Sequence, residues 1–110
     1  MSAALTSPAD GAPWVAAGPG SRRRVRVSRP ELMQVEFAFE AGAVGALHSH
    51  PHVQASYVAE GRFEVTIGDT VTVLGEGGSF IVPPDVVHGV KALTAGRLVD
   101  CFTPRRDDFL

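Results

Sequence analysis

The amino-acid sequence predicts an all-β domain whose short strands either close on themselves or stack in two layers. Three observations predict it. From residue 24 onward the apolar residues recur with a period of two: Met33, Val35, Phe37 and Phe39 alternate with Gln34, Glu36, Ala38 and Glu40, and Phe63, Val65 and Ile67 alternate with Glu64 and Thr66. Glycine and proline punctuate the chain at short intervals, at Gly42 and Gly45, Gly61, Gly68, Gly75 to Gly78, Pro83-Pro84, Gly89 and Gly96, which leaves room for roughly eight or nine short strands. No segment carries the helical period of an amphipathic helix. A sheet built only of such strands has an apolar face to bury, and closure or stacking are its two ways of doing so.

The same signals divide the chain. Residues 1–20 hold Pro8, Pro13 and Pro19 with Gly11, Gly18 and Gly20, too many breakers for a regular element, and read as an irregular arm; residues 21–110 form the domain. Trp14 reads as an anchor of the arm on the barrel or on a neighbouring subunit. A chain of 110 residues supports one core. With 45% apolar and 20% charged residues it has the composition of an ordinary globule. No apolar run is long enough to span a bilayer, and Met1 to Pro8 lack the basic start and apolar segment of a secretory signal, so a cytoplasmic home is expected. Cys101, the single cysteine, makes no internal disulfide and reads as an inert buried residue. A net charge of −2 gives no reason to expect nucleic acid. Arg22, Arg23, Arg24, Arg26 and Arg29 read as solvated charges guarding an edge strand, with an anion or subunit contact as the alternative.

The chemistry is concentrated in two short segments that hold all four histidines, His48, His50 and His52 in one and His88 in the other. On a strand, His48 and His50 project from the same face, the spacing at which two imidazoles can grip one ion. Gln54 follows a kink at Pro51 and can bring a third donor to the same point. His88 follows Pro83-Pro84-Asp85, where a tight turn delivers the start of another strand. His48, His50, Gln54 and His88 are thus the expected ligands of one divalent ion. His52 suits a supporting or substrate contact, or an ordinary surface place.

In these segments Gly42, five residues, His48-x-His50, three residues, Gln54, six residues and Gly61 resemble the first motif of the cupin superfamily, and Gly77, five residues, Pro83, four residues and His88 resemble the second. The resemblance runs from about residue 32 to the C-terminus and implies a double-stranded β-helix, or jelly-roll barrel. It has three departures: Gln54 stands where most cupins have glutamate, Asp85 where the second motif has glycine, and Ala92 where it often has asparagine.

Glutamine keeps an oxygen donor but removes a negative charge, so an ion held with three neutral imidazoles keeps a local charge near +2 instead of +1. It is then a stronger Lewis acid, less suited to a higher oxidation state, and favours an anionic chelating substrate. A six-coordinate ion with four protein ligands would leave two positions open. Nickel, zinc, iron and manganese all suit these donors. The opposing reading has Gln54 turned away from a degenerate site.

In the C-terminal segment, a period of two puts Asp100 and Phe102 on one face and Cys101 on the other. If that face is the interior, Asp100 is available as a proton carrier and Phe102 as an aromatic wall. Arg106, past Pro104, can curl over the mouth and hold a carboxylate, with Arg105 as competitor; a structural Asp–Arg pair closing the barrel is the alternative. The His-Ser-His-Pro-His-x-Gln segment and the terminal Asp-x-Phe-Thr-Pro-x-Arg-x-Asp segment together resemble the small cupins of pectin and alginate breakdown, which ketonise 4,5-unsaturated uronates. That resemblance implies metal ligands at His48, His50, Gln54 and His88, an acid/base residue at Asp100, a ring contact at Phe102 and a carboxylate-binding residue at Arg106. Val53 stands where that family commonly has glutamate, and Cys101 where it usually has valine. The expectation is a metal-dependent isomerase or tautomerase acting on a sugar acid, in a chain whose arm and sheet edges suit a homodimer. A non-catalytic small-molecule-binding cupin and a cupin dioxygenase are the rivals.

Overall fold

Ten strands carry the period-two pattern, and a computed structural model describes them over residues 5–110; residues 1–4, the start of the Met1–Pro8 segment, lie outside the described residues. The strands are β1 (Val15–Gly18), β2 (Ser21–Arg29), β3 (Leu32–Phe39), β4 (Val44–His48), β5 (Val53–Glu60), β6 (Phe63–Ile67), β7 (Thr70–Leu74), β8 (Ser79–Val82), β9 (His88–Ala92) and β10 (Gly96–Thr103), followed by a 3-10 turn at Asp107–Phe109. They form a six-stranded sheet in the order β1-β2-β3-β10-β5-β8 and a four-stranded sheet in the order β4-β9-β6-β7, antiparallel throughout. Of the two ways to bury an apolar face, the chain therefore stacks two layers.

Register aligns the inner faces into rows. On the long central strand β10, Leu98, Asp100 and Phe102 point inward; Leu98 lies opposite Val58 of β5 and Phe37 of β3, Asp100 opposite Ser56 and Val35, and Phe102 opposite Gln54 and Met33. One apolar cluster, with Phe39, Val58, Phe63, Val65, Ala92 and Leu98, fills one end between the sheets. Another, Met33, Val35 and Phe102 with Phe37 and Phe109 against it, lies toward the other end. Gln54, Ser56 and Asp100 are buried polar residues on these same inner faces.

Three expectations change. The segment read as irregular contains β1, because its breakers Gly18, Pro19 and Gly20 make the turn of a β1–β2 hairpin while the four residues from Val15 remain free to pair. Since β1 flanks β2, the arginines of β2 do not guard an edge. Arg24 and Arg26 instead donate to the carbonyls of Ala9 (2.8 Å) and Gly11 (2.8 Å), tying the arm down, and Arg22 and Arg24 stack on Trp14 at 4.5 and 4.3 Å from its centroid. Finally, Glu36, expected to face solvent, is buried beneath this cover and bonded by Arg24 and Arg97. Burial alone would raise its carboxyl pKa, but the two arginine hydrogen bonds outweigh that and hold it below the ordinary range.

Candidate metal centre

Both sheets supply the centre. His48, the last residue of β4, lies opposite His88, the first of β9, in the four-stranded sheet. Gln54 comes from β5 in the facing sheet. The spacing put His50 on one strand with His48, and the structure corrects this: β4 ends at His48, and His50 sits in the bend before Pro51. The bend is fixed by a hydrogen bond from the Asp85 amide to the His50 carbonyl (2.8 Å). Asp85 itself holds a positive φ of 65°, which explains why the related motif has glycine there and why aspartate, among the side chains that tolerate this region, replaces it.

The ligating atoms of His48, His50 and His88 lie within 4.8 Å of one another. His88 is buried, His50 is buried, and His48 reaches solvent. Each ring is oriented by its Nδ1, which donates to a backbone carbonyl: His48 to Ala46 (2.7 Å), His50 to His52 (3.2 Å) and His88 to Val86 (2.9 Å). His52 thus contributes its carbonyl, while its ring lines an outer cleft with Arg105, Asp107 and Asp108. Burial, foremost, lowers the pKa of both His50 and His88, so these rings are neutral at neutral pH and present lone pairs at Nε2. Those nitrogens face Gln54 Oε1 at 3.0 and 3.2 Å, and Gln54 is turned this way because its Nε2 donates to Ser56 Oγ (3.0 Å). Gln54 is not turned away from the histidines. Lone pairs brought this close repel one another, and a cation among them converts the repulsion into coordination. The donor set fits a divalent transition metal.

Asp100 is 5% exposed, lies one row along from Gln54, and has an Oδ1 with no hydrogen-bond partner among the described residues. Burial pushes its pKa from 3.8 to about 7, against a hydrogen bond from Ser56 and the charge of Arg106. Ser56 therefore touches both Gln54 and Asp100. Sequence reading passed over it, although its place two residues from Gln54 on one strand puts both on the same face.

A cavity of about 320 Å³ opens on this cluster, lined by His48, Gln54, His88, Asp100, Phe102 and Arg106 among others. Phe102 packs edge-on to His50 with centroids 5.6 Å apart. Arg106 lies over Phe102 and Phe109 at 5.2 and 4.2 Å and donates to Asp108 at 3.1 and 2.8 Å. Arg105 pairs with Asp107 in the outer cleft, so of the two candidates Arg106 is the one on the cavity. Cys101 points to the opposite face, half-buried, in a larger and more open apolar hollow of about 630 Å³ that contains none of the histidines. That hollow lacks the convergent polar groups of the smaller cavity.

Residues 35–102 match the family model of the cupin domain. The chain is 39% identical over 103 residues to the pectin degradation protein KdgF of Dickeya dadantii (strain 3937), covering 92% of this chain and 94% of that one. Among solved structures it is similar to an RmlC-like cupin from Shewanella frigidimarina NCIMB 400, with a TM-score of 0.94 and 40% identity over 97% of this chain and 96% of that one. It is also similar to KdgF from Halomonas sp., with a TM-score of 0.91 and 35% identity over 99% of this chain and all of the other.

Proposed function

We propose that this chain, which belongs to the cupin domain family, opens the ring of a 4,5-unsaturated uronate and ketonises it to the linear form. The observation that carries the reading is a buried carboxyl, Asp100, with an Oδ1 that has no partner among the described residues, lining the same cavity as the histidine cluster, Phe102 and Arg106. The likeness over nearly the whole chain to a pectin degradation protein supports it.

In this reaction the anomeric hydroxyl gives up a proton and the bond between the anomeric carbon and the ring oxygen breaks. The ring oxygen becomes the enol oxygen at C5, and the enol takes a proton at C4 to become a ketone. No atom is gained or lost. His48, His50, Gln54 and His88 would hold one divalent ion, which when bound supplies Lewis-acid polarisation of substrate oxygens. Asp100 moves the proton: burial raises its carboxyl above the ordinary range, which favours it as a proton donor as well as an acceptor. Phe102 gives the sugar an apolar wall. Arg106, with one fork engaged by Asp108, turns its remaining N–H groups to the substrate carboxylate.

The test is to add the purified protein to freshly generated 4,5-unsaturated galacturonate and follow loss of its ultraviolet absorbance, with Asp100→Asn alongside. A protein-dependent rate, reduced at least tenfold in the variant, is expected of a general acid/base residue. Equal rates with and without protein remove the assignment.

A further inference from the structure

Four of the five clustered arginines of β2 have structural partners. Arg24 and Arg26 hold Glu36 and the arm, Arg22 stacks on Trp14, and Arg29 pairs with Glu31. Arg23 differs. Its neighbours Arg22 and Arg24 turn to the outer face, whereas Arg23, paired in register with Phe37, lines the cavity. Its guanidinium carbon lies 4.2 Å from the centroid of Phe109, the distance at which Arg106 meets the same ring. Phe109 in turn packs edge-on to Phe37 and Phe102, with centroids 6.1 and 5.8 Å apart. Arg23 has no salt bridge among the described residues, while Arg106 has Asp108. The Arg106–Asp108 pair is close to neutral as a unit, so the uncompensated positive charge at this mouth belongs to Arg23.

We propose that Arg23 is a second carboxylate-recognising residue of this cavity, which selects acids over uncharged sugars and holds the uronate's acid group together with Arg106. The proposal rests on the reading of the cavity as a uronate site. Stacking on Phe109 holds the guanidinium plane in place, so that little side-chain freedom is lost when its N–H groups meet an anion. A lysine at this position would keep the charge but lose both the fork and the stack.

Two measurements test it, both on the metal-loaded protein. In the ketonisation assay, Arg23→Gln should raise KM for 4,5-unsaturated galacturonate about tenfold while kcat moves much less, the signature of lost binding that is equal in ground and transition states. The salt dependence of KM should flatten in the variant. Arg23→Lys should recover part of the loss, and both variants should melt within a few degrees of the parent. In calorimetry, the parent should bind D-galacturonate about tenfold more tightly than its methyl ester, and Arg23→Gln should lose most of that preference, leaving the part that Arg106 supplies. If the parent turns over no unsaturated uronate but keeps the acid preference, and Arg23→Gln loses it, the reaction assignment fails and the role of Arg23 stands. If the parent does not distinguish acid from ester, or Arg23→Gln keeps both the preference and the KM, the role of Arg23 is overturned. A fall in kcat with KM unchanged overturns it as well.

Discussion

Replacing Asp100 by asparagine removes the ionisable group and keeps its shape, which makes it the sharpest probe of the cavity. The folded chain holds this carboxyl at about 7 instead of 3.8, so the folded state binds a proton that the unfolded state has released over that interval. The associated stability is fully present below pH 3.8 and is lost as pH rises through 7; the full span is worth about 4 kcal/mol. Between about pH 5 and pH 8.5 the loss is about 2.5 kcal/mol on the same arithmetic. His50 and His88 act in the opposite sense: their lowered values give stability that is present above the ordinary 6.5 and lost as pH falls through the folded values. Both histidines remain in Asp100→Asn, so the difference between parent and variant isolates the carboxyl. The assay is urea unfolding of chelator-treated protein at the two pH values. The parent should lose about 2.5 kcal/mol relative to the variant on going from pH 5 to pH 8.5, so that asparagine is the better residue for folding at the alkaline end. A parent-minus-variant difference that is flat across this range would refute the buried, proton-holding carboxyl and with it the proton-carrying role of Asp100.

Other substitutions probe the supports. Ser56→Ala frees the Gln54 amide and removes the hydrogen bond that favours ionised Asp100; metal affinity, followed by competition with a chelating dye, should fall about 10–100-fold. The same change should move the activity profile to higher pH. Gln54→Glu adds the charge that most cupins carry, and should tighten metal binding while slowing turnover, read from the same titration and the ultraviolet assay. Gly61→Ala should cost about 3 kcal/mol or more in urea unfolding: its φ is +83°, and a Cβ would lie 2.5 Å from the Ala95 carbonyl and 2.9 Å from the Gly96 Cα, both backbone atoms.

Local pattern carried a large part of this molecule. The alternation from Met33 to Phe39 and from Phe63 to Ile67 is that of strands whose apolar sides face inward. His48, Gln54 and His88 sit at strand ends or on inner faces, as their spacing implied, and Asp100 and Phe102 share the interior while Cys101 does not. What stayed hidden depends on partners distant in sequence. Glu36 looks outward by parity, and the arginines that meet it from β2 and β10 are what bury it. Parity puts Arg23 on the opposite face from Arg22 and Arg24, but only the packing of the two sheets makes that face the cavity side. Ser56 is an ordinary inward residue until register sets it across from Asp100. Phe109 lies in a short turn without periodicity, and its importance comes from the aromatic rings and guanidiniums that meet it.

The charges of the cavity also separate an enzyme from a passive binder. Burial keeps His50 and His88 neutral and the Gln54 amide carries no charge, so an ion held there would keep its charge, and Arg23 adds another. Such a cavity attracts anions without any help from Asp100. For binding alone, a carboxyl at this point is a disadvantage, because on ionising it would repel the ligand and because its burial costs folding stability above neutral pH. A protein that only sequestered sugar acids would be better served by asparagine. A residue that would weaken both folding and ground-state binding, yet meets the same serine as Gln54, fits the proposed proton transfer. The two rivals then part cleanly in experiment. A passive binder would hold galacturonate more tightly as Asp100→Asn and show no ketonisation in either form, and an oxygenase would consume dissolved oxygen in step with substrate loss; neither result is compatible with an isomerisation that gains and loses no atoms.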